Sequence, residues 1–221
     1  MTRKAYHKAL KDLREELLKM GEMVGVALNK AMEALKTRDL AASKKVVKDD
    51  ARINKLRFNI EKECMMLIAT QQPMAKDLRM LGAVINIITD LERIGDHAEG
   101  IAKISILIGD DPLVKPLIDL PRMAEIAGDM LSRTMEAFMA KDVKSARKVC
   151  GDDDKVDALY DQIYRELLLM MIENPKIIEG ATHLIWAAHN LERIADRVTN
   201  IAERVVYMVT GKMEELNISK Y

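Results

Sequence analysis

The sequence predicts an all-α protein built of two tandem antiparallel three-helix bundles related by an internal repeat. Three observations carry that expectation. Charged residues make up 32% of the 221-residue chain and aromatic residues only 4%. Such a balance favours long amphipathic helices over strands, which are enriched in aromatic and β-branched side chains. The five prolines (Pro73, Pro112, Pro116, Pro121 and Pro175) leave long uninterrupted stretches between them, and these stretches keep the apolar spacing of helices. Finally, the two halves of the chain repeat one another, which identifies the unit of structure.

In chain order, helices are predicted over about 3–36, 39–70 and 74–109 in the first half, and 119–140, 143–173 and 176–211 in the second. Asp39 and Asp142 are candidate caps, because a short side-chain oxygen can accept from free N–H groups at a helix start. The segment from Gly109 to Pro116 holds two prolines at mid-chain and reads as the linker. It divides the chain into a first bundle, 1–110, and a second, 111–221. Three helices joined by short turns fold back on one another as an antiparallel bundle.

The repeat is visible residue by residue. Asp90-Leu-Glu-Arg-Ile-Gly-Asp-His faces Asn190-Leu-Glu-Arg-Ile-Ala-Asp-Arg at an offset of 100. Earlier, Met32-Glu33-Ala34 faces Met135-Glu136-Ala137, and Asp49-Asp50 faces Asp152-Asp153, both at an offset of 103. The second half is therefore three residues shorter near the turn between its second and third helices.

Several function classes are disfavoured. Thirty-five basic residues balance 35 acidic ones, so no basic excess exists to displace counterions from nucleic acid. No apolar run exceeds the six residues of Leu167 to Ile172, against the roughly 20 of a membrane span. The first residues, Thr2 to Leu18, lack an apolar signal region. Cys64 and Cys150 have no metal-type spacing and fit reduced thiols of a cytoplasmic protein. The chain contains no P-loop, G-x-G-x-x-G or G-x-S-x-G, and no His with Glu three positions before it. An enzyme is not expected. The 16 methionines read as core filling. Trp186 is expected in the core and His97 on the surface.

The repeated acidic pairs carry the functional expectation. Glu92 and Asp96 are four apart and share one helix face beside the core stripe. Glu192 and Asp196 reproduce them. On the second helices, Asp50 and Asn54 match Asp153 and Asp157. Counted from Gln72, Asn54 lies 18 residues before the turn and Glu92 lies 20 after it. Counted from Pro175, Asp157 lies 18 before and Glu192 lies 17 after. At a common rise of about 1.5 Å per residue, the pairs meet at one height in each bundle. Like charges at that spacing repel, and a multivalent cation relieves the repulsion. Oxygen ligands suit Mg²⁺, Ca²⁺ or Mn²⁺, and bridging carboxylates also suit iron. The competing reading is a solvated acidic face neutralised by Arg52, Arg93, Lys155 and Arg193.

These residues resemble the PhoU family of phosphate-transport and phosphate-signalling regulators. The most specific stretch is Gln72-Pro73-Met74-Ala75-Lys76-Asp77-Leu78-Arg79 running into Asp90-Leu-Glu-Arg-Ile-Gly-Asp-His. The likeness spans about residues 8 to 210. It implies two similar three-helix bundles whose E(D)-x-x-x-D motifs bind iron, zinc or other ions. Carried onto this chain, the metal residues are Asp50, Asn54, Glu92 and Asp96, then Asp153, Asp157, Glu192 and Asp196. Asn54 departs from the family pattern, since a neutral amide is a poorer ligand than a carboxylate. The resemblance further implies a non-enzymatic negative regulator of phosphate homeostasis. Its partners would be the ATPase subunit of the phosphate ABC importer and a membrane sensor histidine kinase, met at the inner face of the membrane. A homodimer is an additional expectation, to be settled by light scattering.

Overall fold

Two antiparallel helical bundles lie side by side, in a computed structural model that describes residues 2–216. The first comprises α1 (Arg3–Thr37), α2 (Leu40–Gln71) and α3 (Ala75–Ile108). The second comprises α4 (Asp119–Ala140), α5 (Val143–Cys150), α6 (Asp153–Glu173) and α7 (Ile178–Thr210), with a 3₁₀ turn at Pro175–Ile177. No strand occurs among the described residues, and the all-α expectation holds.

The repeat extends to the turns. Arg38 and Lys141, 103 positions apart, end α1 and α4 in the left-handed conformation, with φ of 56° and 57°. Each is followed by the capping aspartate that the sequence suggested. Asp39 accepts from the Ala42 N–H, and Asp142 accepts from those of Lys144 and Ser145. Both turns close with the same bond, Asp39 N–H to the Ala34 carbonyl and Asp142 N–H to that of Ala137, each 2.9 Å. These contacts satisfy carbonyls that the helix end would leave open.

One predicted helix is not continuous. The stretch 143–173 breaks at Gly151-Asp152 into α5 and α6, whereas its counterpart α2 runs unbroken. The cause is local. Gly151 replaces Lys48 at the matching position, and glycine weakens a helix interior. Three consecutive aspartates follow it and favour a helix start over a helix interior. Asp152 is drawn off by ion pairs to Arg133 of α4 and Lys155.

The bundles do not have separate interiors. A single apolar core runs through both, and its largest helix interface is between α3 and α7. Asp90 Oδ1 lies 3.4 Å from Arg197 Nη1, and His97 Nδ1 lies 2.9 Å from Asn190 Oδ1. Rising along one helix thus descends the other, so α3 and α7 are antiparallel. Residues 90/190 and 97/197 exchange partners about a pseudo-twofold axis. His97 is accordingly half-buried rather than on the surface, and burial lowers its pKa. Trp186 also departs from expectation, being 50% exposed. It lies on the outer side of α7, its ring tilted 55° to that of His183 with centroids 5.5 Å apart. Cys64 and Cys150 are free and buried, and burial pushes both thiols up to about 12.

A second inter-bundle contact joins α1 to α4. A Cβ at Gly21 would stand 2.9 Å from Met135 Cγ, so glycine sets how closely these helices approach. Replacing Gly21 with Val should therefore destabilise the protein by about 1–3 kcal/mol through overpacking. At Gly82, by contrast, an added Cβ meets nothing within 4 Å, and Gly82→Ala should stabilise by up to about 1 kcal/mol. Urea titration of both variants checks the signs. Because the core is shared, unfolding followed by far-ultraviolet circular dichroism and by Trp186 fluorescence should give coincident transitions.

Candidate functional site

Each bundle carries its acidic groups on the helix pair that the sequence identified, α2 with α3 and α6 with α7. In the first bundle Asp50 is half-buried on α2. Burial raises its pKa first, and the charges of Glu99, Asp96 and Glu92 on α3 raise it further, while the Asn54 amide acts in the opposite direction. These influences bring Glu92, Asp96 and Glu99 of α3 near Asp50, with Asn54 beside it on α2. Asn54 Nδ2 donates to Asp50 Oδ2 at 2.7 Å. Asp50 Oδ1 and Asn54 Oδ1 are both buried without a hydrogen-bond partner. Gly95 packs beneath them, where a Cβ would stand 3.3 Å from Asp50 Oδ1. A groove of about 590 Å³ opens beside this cluster between α1 and α2, reaching Asp50, Gly95 and Glu99 at its floor.

The second site is more enclosed. Asp153 opens α6 and is 1% exposed. Burial is the main cause pushing Glu192 up to about 7, with Asp196 and Asp157 adding to it and Arg193 opposing. Asp157 is raised as well, by burial and then by Asp196, Asp154 and Asp161. Glu192 Oε2 is buried, accepts no hydrogen bond, and lies 3.4 Å from His189 Nδ1. Tyr160 packs against His189 with centroids 6.1 Å apart.

The neutralising cations are partly engaged. Arg93 pairs with Asp96 at 3.1 Å, and Arg193 with Asp196 at 2.6 Å. Arg52 reaches Asp49 at 3.9 Å, and Lys155 reaches Asp152. Asp50, Glu192 and Asp157 keep raised pKa values, so the pairing does not neutralise the inner carboxylates. Among the described residues, no three His, Cys, Asp or Glu side chains already converge as a metal cage. The chemistry of the donors nevertheless fits a hard or borderline cation. Buried oxygens lack hydrogen-bond partners in the first bundle, and repelling carboxylates crowd the second.

Two neighbours escaped the sequence reading. Glu99 lies one turn beyond Asp96, but its repeat counterpart is Thr199, so a search for duplicated acids passes over it. His189 lies one turn before Glu192, and its counterpart is Thr89. The i+3 spacing from Asp96 to Glu99, and from His189 to Glu192, is the signal that could have found them.

Comparison with known proteins agrees with the repeat. The family model described as the PhoU domain matches twice, over residues 17–105 and 120–205. A phosphate-specific transport system accessory protein PhoU homolog of Aquifex aeolicus is 39% identical over 206 residues, 93% of each chain. The protein of the same description from Clostridium acetobutylicum is 36% identical over 98% of this chain and all of its own. The crystal structure of PhoU from Pseudomonas aeruginosa superposes with a TM-score of 0.90 at 34% identity, covering 94% of this chain and 100% of that one. The phosphate transport system regulatory protein PhoU from Streptococcus pneumoniae superposes at 0.89 with 29% identity, covering 95% of this chain and 99% of that one. With two family domains matched, one in each bundle, and relatives alike over nearly their whole length, the chain belongs to the PhoU family.

Proposed function

We propose that this protein is a non-enzymatic accessory and negative regulator of a phosphate-specific transport system, acting through protein contact. The observation that carries the reading is the near-full-length match to accessory and regulatory proteins of phosphate transport. The surface supports it. Met65 and Met66 near the end of α2, and Leu168 and Leu169 near the end of α6, match at an offset of 103 and are all exposed. Met74, Leu78, Ile172 and Ile178 extend the two hairpin tips with further exposed apolar side chains. Exposed apolar patches of this kind mark docking surfaces for other proteins. The partners proposed are the importer's ATPase subunit and a sensor histidine kinase. No helix among the described residues is long and apolar enough to cross a membrane, so membrane association would run through these partners on the cytoplasmic side.

Metal binding is the second part of the proposal. Asp50, Asn54, Glu92 and Asp96 would hold one site, and Asp153, Asp157, Glu192 and Asp196 the other. Iron, zinc or a hard divalent cation would offset the carboxylate repulsion that raises Asp50, Asp157 and Glu192. Metal would then fix the second helix of each bundle against its third, stiffening the surface that partners read.

Deleting the gene should raise phosphate uptake and switch on the starvation response in phosphate-replete cells. Affinity capture from those cells should recover the importer ATPase; recovery of neither that ATPase nor a kinase at low and moderate salt refutes regulation by contact. Elemental analysis should find metal that falls by about half in an Asp157→Asn, Glu192→Gln double variant, with the fold intact because both changes relieve repulsion. Asn54→Asp should raise metal affinity in the first bundle yet destabilise the metal-free protein, because it replaces an amide donor to Asp50 by a like charge. The metal-free protein should also lose stability as pH rises from about 4.5 to about 7. In that window the native state holds a proton on Glu192 that the unfolded chain has released. Urea unfolding across this range should show a smaller decline for Glu192→Gln.

A further inference from the structure

The end of the molecule where α1 and α3 begin and α4 and α7 finish holds a concavity remote from the acidic sites. It encloses about 370 Å³ and is lined by Lys11, Arg14, Lys76 and Lys141, with Met80 and Met208 in its wall. Asp77 is the acidic residue of its lining, and its carboxylate accepts from the Tyr6 hydroxyl at 3.1 Å. Four cations against one carboxylate leave a local excess in a chain whose net charge is zero.

The cations are only partly committed elsewhere. Among the described residues, Lys11 has the exposed Glu15 at 3.5 Å, while Arg14, Lys76 and Lys141 enter no ion pair. Arg14 is held in position. Its Nη2 donates to the Met139 carbonyl at 2.5 Å, its guanidinium lies 5.9 Å from the Phe138 ring centroid, and its Nε is buried without a partner. A fixed guanidinium beside exposed ammonium groups suits a phosphoryl group, which offers several acceptor oxygens and up to two negative charges. Two helix N-termini and two C-termini meet here, so their dipoles largely cancel and the side chains set the sign.

The repeat supplies an internal comparison. The pseudo-twofold places a matching pocket of about 280 Å³ at the opposite end, where α7 begins and α3 finishes. Lys176 matches Lys76, but Asp111 and Glu179 stand in that lining, and its charge is reversed. The same packing therefore tolerates either sign, and the fold does not require the basic cluster. Like charges gathered in a concavity repel unless a counter-charge enters.

We propose that the basic pocket binds a small phosphate-bearing anion, its phosphate held by Arg14, Lys76 and Lys141 and any organic portion lying against Met80 and Met208. The volume is that of a small-molecule site and exceeds a single phosphate. This inference rests on the pocket alone, and its test needs no transporter, so its failure leaves the contact-regulator reading standing.

The test is isothermal titration of the purified full chain, stripped of metal by chelation so that no metal-bound phosphate contributes. Inorganic phosphate and AMP are the two probes, at matched ionic strength. Saturable binding of one equivalent of either is expected, and tighter binding of AMP assigns a phosphate ester rather than the free ion. The exposed pair Lys76→Ala with Lys141→Ala should weaken binding at least about tenfold. Lys176→Ala, at the matching pocket, should change it less than about twofold. Failure of both probes to saturate below about 10 mM overturns the proposal. So does a double variant that keeps its fold by circular dichroism and binds like the wild type, or a Lys176→Ala effect as large as that of the pair.

Discussion

The antiparallel pairing of α3 and α7 is the constraint on which the rest of this structure depends. Two long helices, each the third of its bundle, are fastened by contacts that exchange identity across a pseudo-twofold: Asp90 with Arg197, and Asn190 with His97. Gly100 permits the approach, since a Cβ there would stand 2.9 Å from Asn190 Oδ1. Asp90 is partly desolvated by this packing, which raises its pKa, and Arg197, Asn200 and Arg204 counter the rise. A half-buried carboxylate of this kind is held by its partners rather than by solvent, so the register of the helices and the polar contacts specify one another. Everything else is hung on this pair, with α1 and α2 on one side and α4 to α6 on the other.

The antiparallel register has two consequences for function. Glu92 and Asp96 come opposite the 191–195 region of α7, so both acidic centres sit at the middle of the molecule. The hairpin tips, carrying Met65, Met66 and Met74 in one bundle and Leu168, Leu169 and Ile172 in the other, are sent to opposite ends. The molecule therefore carries apolar hairpin tips at its two ends, with the acidic centres between them. That division separates surfaces suited to docking from carboxylates whose mutual repulsion an ion could relieve.

Duplication did not make the halves equal. Gly95 and an unbroken α2 leave the first acidic centre beside an open groove. In the second, Gly151 and Asp152 break the equivalent helix, Asp153 is buried at the start of α6, and Glu192 is pushed up to about 7. Asn54 softens the charge of the first centre, whereas Asp157, Glu192 and Asp196 repel one another in the second. The terminal pockets diverge as well, one basic and one acidic. The helix break traces to one repeat-matched substitution, Gly151 for Lys48, whereas the change of sign between the pockets takes several, among them Val114 for Lys11, Leu117 for Arg14 and Glu179 for Arg79.

The sequence by itself determined the helices, the repeat, the caps at Asp39 and Asp142 and the level meeting of the acidic pairs. All of these follow from spacing along the chain, because helical rise and periodicity are local properties. It misjudged the continuity of 143–173, where a single glycine and an ion pair to Arg133 outweighed helical periodicity. It also misplaced His97 and Trp186, because their environment depends on which face of α3 and α7 the other bundle covers. Glu99 and His189 stayed hidden behind the repeat, which draws attention only to what both halves share. The antiparallel docking of the bundles, the sharing of one core and the gathering of Lys11, Arg14, Lys76 and Lys141 were decided by tertiary structure alone. Their residues come from segments more than 60 positions apart, brought together by the burial of two apolar faces that no local pattern pairs.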